Sequence, residues 1–406
     1  MNIVHLTTFH TGGAGTAAIQ LHKALLEIGI NSSLVFVQSL PKDSTIPCSY
    51  SLSHQNVSTR IRNKVKNLSF NKTEKHFRQI GHAIDAENIS LPFSDYNILK
   101  HPIIGKADIL HLHWVAGMID YRTFFKNCTK KIIWTLHDMN PLNGLFFYKE
   151  DEYRNRLLTG HLNQEILNIK HNALSSLKTK MYITAPSNWL TNEAKDSKLL
   201  NNFECITIPN IVDLKTYDLC DKSECREELN IRQDSILLLF MAMSVTNKRK
   251  GFDLLKNSLL RIKNRALIEI IAIGEIDEID VGDLGIKFTG EIKNKALLVK
   301  YYAAADALIL PSREDNLPNT MLEAFGCGLP VIGFPVGGIK EHIKDEVTGY
   351  LSKEVSSEAL YDSIMKFLKN PKIFQREKIR KYAEVNFNEK TIVNKFLNLY
   401  SMALAN

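Results

Sequence analysis

Short runs of aliphatic and β-branched residues alternate along this chain with longer stretches whose apolar residues recur at helical spacing. NIVHLTTF at 2–9 has the first character. TAAIQLHKALLEIG at 16–29 has the second, with Ile19, Leu21, Leu25 and Leu26 on one side and Gly29 at its end. The glycine-rich turn HTGGAG joins them. SSLVFVQ, ADILHLHWV, KKIIWTLHD, MYITAPS and FECITIPN continue the series of strands, several of them ending in polar residues. Continuous apolar strands separated by helices predict a parallel sheet covered on both faces.

The pattern restarts after the polar segment VDLKTYDLCDKSECREE. SILLLFMAMS, ALIEIIAIG, IKFTGEI, ADALILPS, LPVIGFPV and GYLSK read as a second set of strands, so two α/β domains are expected, with the boundary near residue 212. No short-period repeat is visible. In open sheets of this kind ligands bind beyond the carboxyl ends of the strands, which directs attention to the polar strand ends.

Length and composition agree with that division. A chain of 406 residues exceeds one ordinary core, and 44% hydrophobic with 23% charged residues is a globular composition. No apolar run approaches the roughly 20 residues that cross a bilayer. The first residues lack the charged and apolar regions of a secretory signal, so a cytoplasmic location is expected. The six cysteines form no CxxC pair or metal-ligand spacing and are expected to be free thiols. A net charge of +7 is mild; it permits an anionic substrate or membrane surface and does not point to nucleic acid.

The stretch PSREDNLPNTMLEAFGCGLPVIGFPVGG at 311–338 carries the densest signal. Pro318 suits a first helical turn, and Gly328 with Pro330 suits its end. Pro318, Met321, Leu322 and Phe325 then form an apolar stripe, while Asn319 and Glu323 share another face. The start of such a helix offers unpaired N–H groups suited to phosphate. Glu323, four residues on, would sit where a carboxylate reaches the hydroxyls of an attached ribose. The plainer reading makes these residues helix caps and a solvated charge.

Taken with HTGGAG, ADILHLHW, WTLHDMNP and KRKGFDLL, the stretch resembles the retaining GT-B glycosyltransferases of the large family 4 class, over nearly the whole chain. The family's Glu-x7-Glu element appears as Asp315 and Glu323, within Pro311-Ser312, Cys327-Gly328, Pro330-Val331 and Gly337-Gly338. The subtype is similar to the branch found in bacterial capsule, exopolysaccharide and O-antigen gene sets. The resemblance implies two Rossmann-like domains facing across a cleft: 1–212 on the acceptor side, 213–385 holding the nucleotide-sugar, and a helix at 386–406 returning to the first domain.

It also implies roles. Glu323 binds the nucleotide ribose and Asp315 lies by the donor sugar, with Asp one methylene shorter than the family's Glu. Lys250-Gly251 matches the Lys-Gly on the diphosphate. Ser244 stands where many relatives have an Arg, so Arg249 or Lys248 is expected to supply the second charge. Gly12 and Gly13 match the glycine loop that approaches donor phosphate and acceptor. Asn319 and Thr320 open the phosphate-binding helix. His137 matches the histidine that reaches the donor sugar; the alternative is a histidine merely hydrogen-bonded at a strand end. Trp114, Asp138 and Gly13 are expected beside the acceptor. Gly13 to Ala18 also fits a dinucleotide fingerprint, but the strand that should end in an acidic residue ends in Gln38.

The implied reaction moves a sugar from a nucleotide-diphosphate donor to a glycan or lipid-linked acceptor, with retention, without a cofactor, and without a metal despite His111, His113, His137 and Asp138. Two rival readings stay open: a non-catalytic nucleotide-sugar-binding scaffold of a polymer-synthesis complex, and an epimerase of the same architecture. The basic stretch 57–82, with Arg60, Arg62, Lys64, Lys66, Lys72, Lys75 and Arg78, reads either as a solvated helix face or as a peripheral contact with the inner face of the cell membrane. The C-terminal stretch FNEKTIVNKFLNLYSMALAN places Ile392, Phe396, Leu399, Tyr400 and Leu404 at helical spacing.

Overall fold

The structure is a computed structural model that describes residues 1–38, 46–52, 72–277 and 281–405. It divides into two compact units, Met1–Ile208 with Val393–Asn406, and Pro209–Ile392. Both are parallel-sheet, Rossmann-like α/β units, as the alternation of strands and helices predicts.

The first unit contains β1 (Asn2–Thr7), β2 (Asn31–Phe36), β3 (Ser49–Ser51), β4 (Ile109–Leu112), β5 (Lys131–Thr135), β6 (Met181–Ala185) and β7 (Glu204–Thr207). Their order is β3-β2-β1-β4-β5-β6-β7, every pairing parallel. The chain reverses its direction of travel between β1 and β4. Because side chains alternate along a strand, the two faces of this sheet differ. One face is apolar, with Val4, Leu6, Leu110, Leu112, Ile132, Trp134 and Ile183 in a single core. The other carries His5, His111, His113, Thr135 and Thr184, all buried. The C-terminal helix Glu389–Ala405 supplies Phe396 and Tyr400 against this polar face. Its buried positions include Ile392, Val393, Phe396, Leu399, Tyr400 and Ala403; Leu404, expected on the stripe, is exposed, because Ala403 holds that helical position.

The helix after β1 spans Gly12–Glu27 and so begins four residues before the apolar stretch. Ala18, Leu21, His22 and Leu25 are its buried stripe, with Ile19 and Leu26 on the flanks. A 27-residue helix, Lys149–Ser175, has no counterpart in the sequence reading. Its buried face is partly polar (Asn155, Thr159, Asn163 and Lys170), which hides the usual apolar periodicity. The Lys170 ammonium donates to the carbonyls of Asn140, Asn143 and Gly144 at 2.6–2.8 Å and so holds the loop after β5. Burial pushes its pKa down to about 7, partly opposed by Asp138. Of the basic stretch 57–82, residues 57–71 lie outside the described residues; Lys72–Ile80 is a helix that packs on Lys149–Ser175 through Thr73 and Glu165.

The second unit contains β8 (Ile236–Ser244), β9 (Ile268–Glu275), β10 (Ile286–Phe288), β11 (Ala307–Leu310), β12 (Val331–Gly333) and β13 (Gly349–Leu351), in the order β10-β9-β8-β11-β12-β13. All pairings are parallel, and the reversal falls between β8 and β11. Leu237 to Phe240, Ile270 to Ile273 and Ala307 to Leu310 are buried, and Phe252, Met321, Leu322 and Phe325 pack on them from the helices. Each fully buried Leu or Phe contributes about 1.5–3 kcal/mol. This core fixes the loops at the carboxyl ends of β8 and β11.

Candidate functional site

In the second unit the turn after β8 and the loop after β11 are joined at several points. Arg313 N donates to Arg249 O at 2.8 Å, and Arg313 Nη1 to Lys248 O at 2.7 Å. Arg249 Nη1 donates to Glu314 O at 3.0 Å, and the Arg313 guanidinium forms a two-point pair with Asp253. Gly251 adopts φ 72°, and a Cβ there would overlap the carbonyl oxygen of Pro311. Only glycine permits both the left-handed backbone and this approach.

These contacts bring three of the sequence-derived residues together. Lys250 Nζ lies 2.5 Å from Asp315 Oδ2, and Arg249 Nη1 lies 3.4 Å from the same oxygen. Ser312 Oγ donates to it at 3.3 Å, and Asn316 N donates to Asp315 Oδ1 at 3.1 Å. Asp315 is 8% exposed and Arg249 9%. Burial alone would raise the Asp315 carboxyl, but Lys250 and Arg249 hold it below the ordinary carboxylate value. Two cations on one carboxylate leave a net positive charge with a local counter-ion. Lys248 is exposed, so Arg249 is the residue that stands with Lys250. Ser244, in place of an arginine, lies 3.1 Å from Thr246 through their hydroxyls.

Four residues beyond Asp315, the helix Asn319–Gly326 begins. Pro318 is its N-cap rather than its first turn: φ −66° and ψ 127° are extended, and no side chain caps the helix. A proline cap contributes no side-chain acceptor of its own to the helix start, in contrast to the Ser356 and Asn294 caps of other helices in this unit. Asn319 Oδ1 accepts from Asn210 Nδ2 at 3.1 Å, and Thr320 is half-buried. Glu323 Oε2 accepts from the buried Tyr302 hydroxyl at 2.8 Å, and Tyr217 also acts on this carboxylate. Burial raises its pKa against the stabilising effect of the two phenols. A carboxylate accepts about four hydrogen bonds, so capacity remains for further hydroxyls. Neither tyrosine was singled out from the sequence, and nothing in the local pattern marks them.

In the first unit, the candidates gather at the carboxyl ends of β1, β4 and β5. Gly12 has φ 73° and opens the Gly12–Glu27 helix beside Gly13, both exposed, with no side-chain cap. Gly15 closes the same loop, since a Cβ there would meet Phe9 O at 2.7 Å. Trp114 Nε1 donates to Asp138 Oδ2 at 2.7 Å, and the Trp114 ring stacks on Phe147 and meets Phe9 at a tilt, with centroids 5.2 Å away in each case. His137 is half-buried, with Nε2 3.1 Å from His113 Nδ1. His113 Nε2 lies 3.0 Å from His5 Nδ1. His111 bonds Tyr400 and Thr135, each at 2.7 Å. Burial pushes His111 down to about 3, with His137 adding repulsion, and burial pushes His137 down to about 4.

The nitrogens of His5, His111 and His113 lie within 4.8 Å of one another, which raises the question of a metal ion. The rings of His111 and His113 stack, with centroids 4.3 Å apart and planes inclined by 23°. A metal lies in the plane of each imidazole that binds it, and near-parallel planes at this spacing do not converge on one ion. The set therefore fits a hydrogen-bonded network and does not fit a metal. All six cysteines are free.

Two Rossmann-like units, each with its strand order reversing at the site, define the GT-B class of architecture. Residues 235–370, which hold Lys250, Asp315 and Glu323, match the family described as glycosyl transferases group 1. The chain is 26% identical over 229 residues to N-acetyl-alpha-D-glucosaminyl L-malate synthase of Bacillus anthracis, a match covering 54% of this chain and 58% of that protein. The chain spans less than two thirds of the length of the curated relatives it matches. Among solved structures, sucrose-phosphate synthase from Thermosynechococcus elongatus superposes with a TM-score of 0.73 at 19% identity, covering 100% of both chains. HepE from Anabaena in complex with UDP superposes at 0.68 and 16% identity, over 99% of this chain and 100% of its own. These likenesses establish the fold.

Proposed function

We propose that the protein is a retaining glycosyltransferase that takes a sugar from a nucleotide-diphosphate donor. The observation that carries this reading is the convergence of Lys250 and Arg249 on Asp315, beside a helix that no side chain caps and that bears Glu323 on its second turn. Such an arrangement suits a diphosphate followed by a ribose. The group 1 match over 235–370 supports it, as do structural neighbours solved with UDP or ADP.

Lys250 and Arg249 stabilise the charge that develops on the departing diphosphate, and fixed cations of this kind are worth about 10²–10³ in rate. Asp315 holds Lys250 in place before the donor arrives and faces the donor sugar afterwards. Glu323, oriented by Tyr302 and Tyr217, accepts the ribose hydroxyls. For the first unit, the family resemblance implies a donor-sugar role for His137, a donor-phosphate role for Gly12 and Gly13, and an acceptor role for Trp114 and Asp138. The bond from the anomeric carbon to the phosphate oxygen breaks, the bond to the acceptor oxygen forms on the same face, and the acceptor proton passes to the departing phosphate oxygen. The acceptor class we favour is a glycan or lipid-linked saccharide of a bacterial surface polysaccharide, made at the inner face of the membrane. The branch-like motifs support that choice, and WaaG, a glycosyltransferase involved in lipopolysaccharide biosynthesis, is a structural neighbour.

The test is incubation of purified protein with UDP-, GDP- and ADP-sugars, with and without saccharide acceptors, scoring product and anomeric configuration. The reading expects an α-linked product from an α-linked donor. An inverted product overturns retention. Donor binding without transfer or hydrolysis would favour the scaffold instead.

A further inference from the structure

Asp221, Lys222 and Arg226, from the polar segment between the two series of strands, line a cavity of about 750 Å³ in the second unit. Ile236, Asp306 and Pro330 line it as well. These three stand at, or just before, the amino ends of β8, β11 and β12, whereas Lys250 and Asp315 follow the carboxyl ends of β8 and β11. Every strand of this sheet is parallel to its neighbours, so the cavity lies at the opposite edge of the sheet from the candidate donor site. Its volume falls in the range of about 300–1,000 Å³ that small-molecule sites occupy.

Four cations line this cavity, Lys222, Arg226, Lys372 and Arg376, against two carboxylates, Asp221 and Asp306, a formal balance of +2. The carboxylates are already committed. Asp306 pairs with Lys222 through Oδ1, and its Oδ2 accepts from Arg226 Nη2 and from Leu237 N at 2.7 Å each. Asp221 Oδ1 accepts from Ser223 N and Glu224 N at 2.9 Å and from Ser223 Oγ at 2.6 Å. Arg226 is buried and also bonds the carbonyls of Ala304, Arg232, Gln233 and Ser235, which makes it a structural cation. Arg376 donates from Nη1 to Cys220 O and from Nη2 to Cys327 O, each at 3.1 Å. Those bonds fix its guanidinium and use two of the five N–H groups such a side chain carries. Lys372 is exposed and has no hydrogen bond or ion pair among the described residues. Burial lowers the Lys222 pKa against the pull of Asp306, and Arg226 and Arg376 add repulsion. The cations are thus crowded beyond what their own carboxylates neutralise.

We propose that this cavity is a second ligand site that binds a small phosphate ester, with Lys372 and Arg376 on the phosphate and Lys222 beside them. A phosphomonoester carries a charge of about −1.5 to −2 at neutral pH, which matches the cation excess, whereas a single carboxylate brings half of it. Its three terminal oxygens suit a guanidinium with donors to spare and an uncommitted ammonium. The rest of the lining is mixed, with Ser223 and Gln233 beside Leu329 and Phe374, and so suits an organic body carrying hydroxyls rather than an inorganic ion alone. Because the two carbonyls already hold Arg376, less ordering is needed when the ligand arrives. The proposal does not rest on the transfer reading above.

The experiment is isothermal titration of the full chain with ribose 5-phosphate and glycerol 3-phosphate, beside ribose, glycerol and inorganic phosphate, at neutral pH and low salt. The expected result is that at least one ester binds, that the uncharged alcohols do not, and that inorganic phosphate binds about 10-fold more weakly or worse. Lys372→Glu should weaken the ester about 10-fold or more, the scale of one lost charged hydrogen bond. Lys378→Glu makes the same charge change at an exposed lysine outside the cavity lining and should stay within about twofold. Lys250→Ala should also stay within about twofold, which separates this site from the donor site. Arg376→Gln should abolish binding; if that variant does not fold, Lys372→Glu decides, since Lys372 supports no other group. Binding by neither ester overturns the proposal, as does equal weakening in the Lys372 and Lys378 variants, or a loss confined to Lys250→Ala. Inorganic phosphate binding as tightly as the esters would show an adventitious ion only and overturn it too. None of these failures touches the transfer reading, which is tested at Lys250 and Glu323.

Discussion

The two units place opposite electrostatics at equivalent positions on one architecture. At the β8/β11 reversal, charged side chains are kept charged by one another: Lys250 and Arg249 against Asp315. At the β1/β4 reversal the titratable groups are imidazoles kept neutral by burial and joined by hydrogen bonds. The difference follows from the neighbouring chain. The second unit's loops stitch basic and acidic residues together through backbone contacts, whereas the first unit's polar strand face lies under the apolar and phenolic residues of the C-terminal helix. The proposed function assigns the charged set to the diphosphate of a nucleotide-sugar and the neutral set to uncharged sugar hydroxyls.

The comparison breaks most visibly if the cationic half is removed. Lys250→Ala should lower turnover about 10²-fold or more, the scale for one lost charge-stabilising group. Its Tm should change little, because Arg249 still neutralises Asp315; steady-state kinetics beside a thermal melt checks both. Gly251→Ala acts on the support instead. The left-handed φ and the overlap with Pro311 should destabilise the second unit by at least about 2 kcal/mol, seen as a lower urea midpoint by circular dichroism.

Acid should separate the two units. His5, His22, His111, His113 and His137 of the first unit have native pKa values below 6.5, against His342 in the second. Such a group binds its proton more readily when unfolded, so stability is full above pH 6.5 and falls as pH drops toward the depressed native values. Each fully buried histidine should cost about 1 kcal/mol between pH 6.5 and 5.5. Asp315 has the same sign in a lower window: its lowered carboxyl contributes stability that is complete above the ordinary carboxylate value and is lost as pH falls through its native value. All three tryptophans, Trp114, Trp134 and Trp189, lie in the first unit, so tryptophan fluorescence during urea unfolding reports that unit alone. Its midpoint should fall between pH 7 and 5.5. A flat midpoint would show that the histidine network is not neutral. The smallest effect is expected for Tyr302→Phe, which removes one hydrogen bond to Glu323 and should weaken nucleotide binding about fivefold, roughly 1 kcal/mol, by calorimetry.

Much of this was legible because it depends on local spacing. Every strand but β3 is announced by an apolar run, and β3 is only Ser49–Ser51, polar and at the sheet edge. Lys250-Gly251, Asp315 and Glu323 stand out because turns and helix starts restrict residue types. The links between them were not legible. Tyr217 and Tyr302 approach Glu323 from distant segments, and the alternation His111–His113 does not reveal that His5 joins them from another strand. The long helix Lys149–Ser175 escaped because polar residues on its buried face bond to neighbouring segments, as Lys170 and Asn163 do to the loop at 140–145.

The most direct measurement is isothermal titration of the full chain with UDP, GDP and ADP, repeated on Lys250→Ala and Glu323→Gln. The account predicts that at least one nucleotide binds the wild type, that Lys250→Ala loses most of the affinity for the diphosphate but little for the corresponding nucleoside, and that Glu323→Gln weakens both. Binding that is indifferent to both substitutions, or no binding by any of the three nucleotides, would contradict it.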